Sequence, residues 1–315
     1  MITLQDVRSA RERIADRVKR TPLVSSQALS ARLGAQVFLK LELFQKTGSF
    51  KVRGAFNKVL SIPEEQRGRG LVAVSGGNHA QAVAYVGKEL GLRAIILMPQ
   101  KTPRNYIEAT QGYGADVILV PNVNEAFQRV AGYERDGWAS IHPFDDPLVM
   151  AGQGTVGLEI IEDLPSVTDL FVSIGGGGFI GGIATAVKEL KPACRIWGVE
   201  TVGADTMAQA LEAGHPVQLS AITSIARTLG APSVSERTLA VTKKYVESVA
   251  VVPDVEAVHA LRFLLERAKV LAEPAASCTL AAADRMRGKF TPNSQIVLVL
   301  CGGNVAVDDL CSYPT

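Results

Sequence analysis

Cysteine is scarce in this chain of 315 residues: Cys194, Cys278, Cys301 and Cys311 form no CxxC pair and no zinc-ligand spacing. So few cysteines in so long a chain argue against a disulfide-built secreted domain and for a reduced, cytoplasmic compartment. Histidine is equally rare, with four residues and no HExxH arrangement, so a histidine metal site is not expected. Net charge is nearly absent at +2, and the basic residues are scattered, so neither nucleic acid nor another polyanion is an expected partner. No run approaches the ~18 apolar residues of a membrane span. Met1 to Lys19 is polar and charged, without the apolar core of a secretory leader. Repeats of solenoid length and low-complexity linkers are missing as well. The chain ends soon after its last strand pattern, which leaves no room for an appended regulatory domain.

What is present is an ordinary core-forming composition, 47% hydrophobic and 20% charged. Short β-branched runs alternate with longer amphipathic stretches, the pattern of parallel strands joined by helices. Leu71–Ser75, Ala94–Met98 and Asp116–Val120 read as buried strands, followed by helical patterns at Asn78–Leu90, Pro103–Gly112 and Asn124–Asp136. A second set places strands at Asp169–Ile174, Arg195–Val199, Tyr245–Val252 and Gln295–Leu300. Its helices fall at Phe179–Leu190, Asp205–Ala213, Val255–Leu271 and Pro274–Arg287. Gly214–Glu236 has too little periodicity to assign. The expected fold is therefore α/β, with two open, twisted, mostly parallel sheets flanked by helices. A small unit spans 48–147 and a large one 1–47 plus 148–315, so the chain crosses between them more than once.

Four segments carry chemistry. In Lys40–Ala55, Gly48 and Gly54 bracket Ser-Phe-Lys-Val-Arg, and Lys51 stands beside an aromatic and small residues. Desolvation there lowers an amine's pKa and makes it a better Schiff-base nucleophile; on composition alone a solvated lysine near a helix start is the plainer reading. Ser75-Gly-Gly-Asn-His-Ala-Gln81 joins a strand to a helix and offers backbone N–H groups to an anion, or is an ordinary turn capped by Asn78. Gly175–Gly178 is a run of four glycines between a strand and a helix, costly in entropy and suited to amides converging on a phosphate. Its spacing is not GxGxxG and no Walker lysine follows. Cys301, in Leu-Cys-Gly-Gly-Asn304, closes an apolar strand at the end where ligands bind in open α/β sheets; a buried structural cysteine is the plainer alternative.

Together these segments resemble the fold type II pyridoxal-phosphate enzymes, and within them the serine/threonine dehydratase and serine racemase family, from Thr21-Pro22-Leu23 to Asn304. The resemblance implies pyridoxal 5′-phosphate held on Lys51 as an internal aldimine, with Lys51 later moving the α-proton. It implies Phe50 against one face of the cofactor ring, Asn78 on the ring hydroxyl, and the amides of Gly175, Gly176, Gly177, Gly178 and Phe179 on the phosphate. Cys301 would face the ring nitrogen. The amides of Ser75, Gly77 and His79, with Gln153 as a weaker candidate, would hold the carboxylate of a small amino-acid substrate. The reaction implied is β-elimination from a hydroxy-amino acid such as L-serine or L-threonine, in a homodimer or homotetramer.

Three departures bear on this. A thiol at Cys301 cannot readily keep the ring nitrogen charged, which suits β-elimination better than transamination. Gly76 stands where racemases of the family carry a second serine, so dehydration is favoured over racemisation. For a cation, Glu200 and the Ala204 carbonyl match, but Thr206 replaces an aspartate; this weakens a divalent site, leaves room for a monovalent ion, and leaves Glu200 equally readable as a helix cap. Glu273 lies near the cofactor in the family, or caps its helix. The rival readings are a racemase or β-replacement synthase, a dehydratase of hydroxy-aspartate or an aryl-serine, a Rossmann-type dehydrogenase, and a non-catalytic amino-acid sensor. Pro143–Val149 and the unpatterned Gly214–Glu236 are the expected pocket walls.

Overall fold

The β-branched runs fold as strands in a computed structural model that describes residues 1–313. The strands are β1 (Leu23–Ser25), β2 (Gln36–Leu41), β3 (Leu71–Val74), β4 (Ala94–Pro99), β5 (Asp116–Val120), β6 (Ala139–Ser140), β7 (Asp169–Ser173), β8 (Arg195–Thr201), β9 (Ser248–Val252) and β10 (Gln295–Leu300). The helices begin with α1 (Leu4–Ile14), α2 (Gln27–Leu33), α3 (Lys51–Ser61), α4 (Asn78–Glu89), α5 (Arg104–Gly112) and α6 (Val123–Arg135). They continue with α7 (Pro147–Asp163), α8 (Gly178–Leu190), α9 (Thr206–Ala213), α10 (Glu236–Tyr245), α11 (Asp254–Phe263), α12 (Pro274–Arg285) and α13 (Val307–Ser312). Among the described residues no helix is long and apolar enough to cross a membrane.

Six strands form one sheet in the order β1-β2-β10-β7-β8-β9, and four form another in the order β5-β4-β3-β6. All neighbours are parallel except the edge pair β1–β2. The central strands β7 and β3 are buried throughout, as expected where helices cover both faces. Parallel order puts the carboxyl ends of β7 and β10 side by side, and likewise those of β3 and β4. This is where an open α/β sheet presents its loops to ligands.

Helix α7 packs between the halves. It starts cleanly, with Asp146 accepting from the amides of Leu148 and Val149 and with Pro147 in the first turn. It is then apolar nearly all round, which erased the amphipathic signal. Its glycines admit neighbouring backbones: a Cβ at Gly152 would lie 2.7 Å from Arg53 O of α3, and one at Gly154 would lie 2.8 Å from Gly182 O of α8.

Where α3 meets α7 lies a buried ion cluster. Arg53 donates to both oxygens of Glu42 at 2.8 Å and to those of Glu159 at 2.6 and 3.0 Å. Lys40 Nζ donates to Glu159 Oε2 at 2.5 Å and to Thr21 O at 2.7 Å. Two cations meet two carboxylates, and none of the four side chains is more than 8% exposed.

The sequence reading did not assign α1, β1, α2, β2, α3, β6, α7, α10 or α13, and it departs by more than two residues at two boundaries. The helix expected to run to Leu271 ends its α form at Phe263, widens into a π turn over Leu264–Ala268 and stops at Lys269, whose φ is 59°. The strand expected from Tyr245 starts at Ser248, because α10, capped by Ser235, takes Tyr245. The unassigned Gly214–Glu236 is largely irregular, with one 3-10 turn at Arg227–Leu229.

Candidate active site

Lys51 opens α3, and the residues before it are tied to the end of β10. Ser49 bridges Gly302, Gly303 donates to Gly48 O at 3.0 Å, and the Phe50 amide donates to Cys301 O at 3.1 Å. Gly48 has φ +71°, and a Cβ there would strike the Asn304 carboxamide, so only glycine suits the turn. Lys51 is thereby set beside Cys301. Its Nζ donates to Pro143 O at 2.8 Å and lies 5.2 Å from the Phe50 ring centre. Loss of water lowers its pKa to about 8, against the opposing pull of Glu273.

The four glycines follow β7. The amides of Gly175 to Phe179 donate to no acceptor within the described residues, and Gly177 sits at φ +89° as α8 begins. No side chain fits along this run. A Cβ on Gly176 would enter the Phe144 ring, one on Gly177 would lie 2.7 Å from Met207 and Thr238, and one on Gly175 would come 3.2 Å from Leu229 O. A loop of unbonded amides at a helix N-terminus is built to take a multiply charged anion.

Asn78 faces this loop system from the other half. Its Nδ2 donates to Glu273 at 2.9 and 3.2 Å, and its Oδ1 accepts from Asn304 Nδ2 at 2.8 Å. Thr228 also donates to Glu273, at 2.9 Å. Burial pushes Glu273 up to about 7, opposed by the Asn78 and Thr228 hydrogen bonds. Cys301 is buried; its sulfur accepts from Ser173 Oγ at 3.6 Å, and burial raises the thiol well above its usual range, so it stays protonated. The Phe50 ring stacks on Phe179, with centroids 3.7 Å apart.

The turn after β3 is used differently from expectation. The Ser75 amide donates to Leu97 O at 3.2 Å and the Gly77 amide to Ser75 Oγ at 3.1 Å, so both already have acceptors. The amides of Gly76, Asn78 and His79 have none among the described residues. The His79 ring bonds Ile141 O through Nε2 at 2.8 Å and leaves Nδ1 buried without a partner. Burial, reinforced by the Lys51 charge, lowers its pKa to about 3, so the ring is neutral. Gln153 does not join this turn. Its Oε1 accepts from the Gly54 amide at 3.3 Å, on the α3–α7 crossing, in space that only a glycine at 54 leaves free.

Glu200 caps α9: its oxygens accept from the amides of Met207 and Ala208 at 2.9 and 2.8 Å. Thr206 donates to Ala231 O at 2.6 Å, and Ala204 lies in a tight turn from Thr201. No group of three or more His, Cys, Asp or Glu suited to a metal ion occurs among the described residues.

Sequence reasoning gave no role to Ser173 or Asn304, and it placed Pro143 and Thr228 only within the expected pocket walls, without a contact for either. Asn304 was within reach, as the last residue of the Cys-Gly-Gly-Asn segment. Thr228 was not, because it lies in a stretch without pattern.

The arrangement offers an amine that is half neutral near pH 8, an anion cradle and a buried polar cluster. A family model described as pyridoxal-phosphate dependent enzyme matches residues 14–302. An L-threonine ammonia-lyase of Thermotoga maritima is 40% identical over 310 residues, covering 98% of this chain and 77% of that protein. A solved threonine deaminase from T.th. is 39% identical, with TM-score 0.89 and coverage of 96% and 99%. Maize serine racemase is 36% identical, with TM-score 0.93 and coverage of 99% and 96%. An amine beside a cradle of free amides is what an aldehyde phosphate requires, and with these likenesses it makes the chain a member of the pyridoxal-phosphate dependent enzyme family.

Proposed function

We propose that this protein is an ammonia-lyase that eliminates water from a β-hydroxy-α-amino acid such as L-threonine or L-serine and yields a 2-oxo acid and ammonia. Lys51 carries the reading: a lysine at the carboxyl ends of both sheets, held by Pro143 O and softened to a pKa of about 8, in a chain 40% identical to a threonine ammonia-lyase. Bound pyridoxal phosphate supplies a carbonyl for the substrate amine and a ring that draws charge from Cα. The Gly175–Phe179 amides would hold its phosphate and Asn78 its ring hydroxyl, with Phe50 packed beside the ring. Lys51 Nζ, once free, takes the α-proton. Cys301, kept protonated by burial, would add no charge beside the cofactor ring, an environment that suits elimination better than transamination.

The substrate carboxylate belongs at the 75–79 turn. The free amides there support His79 and add Gly76 and Asn78, while Ser75 acts through its hydroxyl and holds Gly77 in place. Gln153 acts only behind α3. Gly76 has no proton to return to Cα, which supports elimination over racemisation. Measuring 2-oxo acid release and enantiomer formation over serine, threonine, hydroxy-aspartate and aryl-serines tests the assignment; enantiomer formation without oxo-acid release would reverse it.

Two outcomes follow for the cofactor site. Gly176→Ala puts a methyl into the Phe144 ring and should strip the cofactor on gel filtration, while Gly175→Ala, with 3.2 Å to Leu229 O, should be milder. On cofactor-free protein, an amine-directed reagent should modify Lys51 with a midpoint near pH 8, because the lowered pKa frees its lone pair early; cofactor should protect it.

We assign the small unit to 48–147 and the large unit to the remainder, in a cytoplasmic homodimer or homotetramer. Limited proteolysis and light scattering test these. A cation at Glu200 and the Ala204 carbonyl is a separate proposal, in competition with the capping of α9 by Glu200; turnover indifferent to chelator and to sodium–potassium exchange would remove it.

A further inference from the structure

Gly76 and Thr102 lie at the carboxyl ends of the adjacent parallel strands β3 and β4. A Cβ built on Gly76 would lie 2.5 Å from Thr102 Oγ1, with the threonine Cγ2 and Cβ at 3.4 and 3.5 Å, so the hydroxyl is the part of Thr102 nearest the glycine. That hydroxyl has no hydrogen-bond partner among the described residues, although the Thr102 amide is fixed on Pro99 O at 2.9 Å. Beside it, the Gly76 amide is also free, as are those of Asn78 and His79. On the other flank, a Cβ at Gly77 would meet Thr228 Cγ2 at 3.4 Å. The turn therefore lies in a slot between two threonines, and only Thr102 has an uncommitted hydroxyl, since Thr228 is spent on Glu273.

We propose that Thr102 is a specificity-determining residue whose hydroxyl donates to the substrate carboxylate at this turn, and that its bulk is what keeps position 76 a glycine. This rests on the reading of the turn as the carboxylate site. Three amides and one hydroxyl without partners at one turn suit a carboxylate. An amide in its place would set an NH₂ against these donors and leave them unpaired. The arrangement also explains why the hydroxyl is offered from the β4–α5 loop: residue 76 has no room to offer its own.

The test uses the cofactor-loaded enzyme and two ligands without a β-leaving group, alanine and alaninamide, read by the change in cofactor absorbance. Thr102→Val keeps the shape and removes the hydroxyl. It should weaken alanine binding about 10-fold, the order of one hydrogen bond to a charged group, and leave alaninamide unchanged. With serine or threonine the loss should fall on KM rather than kcat, and Thr102→Ser should restore it. Gly76→Ala should weaken alanine binding on its own but add nothing on top of Thr102→Ala, since the space is then open. Equal weakening of alanine and alaninamide, unchanged alanine binding, or loss of cofactor from Thr102→Val would each overturn the proposal. A protein that binds alanine as described but releases no oxo acid from any hydroxy-amino acid would sink the lyase assignment and leave Thr102 in its role.

Discussion

Lys51→Ala should lower oxo-acid release by about 10³-fold or more, since in the proposed mechanism one side chain both tethers the cofactor and moves the α-proton. The structure makes the loss hard to rescue from within. The other buried amine, Lys40, is locked between Glu159 and Thr21 O behind α3. The His79 ring, held near pKa 3, is committed to Ile141 O. Borohydride should fix cofactor to the wild-type peptide containing Lys51 and to no peptide of the variant. Phosphate binding survives in part, because the glycine loop is untouched, so cofactor should still associate but dialyse away. A variant retaining both turnover and a borohydride-stable label would show that another amine does the work.

Arg53→Met should cost about 3–5 kcal/mol of stability, the range for breaking a buried ion pair by removing one partner. Glu42 loses its bidentate guanidinium, and Glu159 keeps only Lys40. Thermal melting followed by circular dichroism reads this as a fall in midpoint. Arg53→Lys should recover only part of it, since an ammonium cannot bond two carboxylates as a planar fork does. Replacing Lys40, Glu42, Arg53 and Glu159 together with apolar residues should cost much less than the single change, because no charge is then stranded. If the single and quadruple variants melt alike, the ion cluster is not what holds α3 against α7.

The two sheets were legible from their β-branched runs, and the residues grouped in the candidate site each left a local anomaly: consecutive glycines after a strand, a lysine boxed by glycines and an aromatic, a cysteine ending an apolar run. Helix α7 was not, since a helix buried on every side has no amphipathic period and its glycines read as breakers. Gln153 was misplaced for a related reason: a polar residue in a glycine-rich motif looked ligand-facing, whereas it fills the space beside Gly54. The amides of Ser75 and Gly77 were counted as free because sequence does not reveal that β4 and the serine hydroxyl claim them. Thr102 and Gly76 lie far apart in sequence, and only the pairing of β3 with β4 makes them neighbours.

The short segment from Ile141 to Asp145 touches several parts of the candidate site. Ile141 O holds His79, Pro143 O holds Lys51, the Phe144 ring walls Gly176, and Asp145 accepts from Ser235 and Arg237 of the α10 start. An inserted residue there would shift the wall of the anion cradle out of register with the carbonyl that anchors the amine, with no catalytic side chain altered. Anyone grafting a tag or splitting this enzyme into complementing fragments should avoid that stretch and cut instead at the surface turn around Gly288, where the backbone has open space.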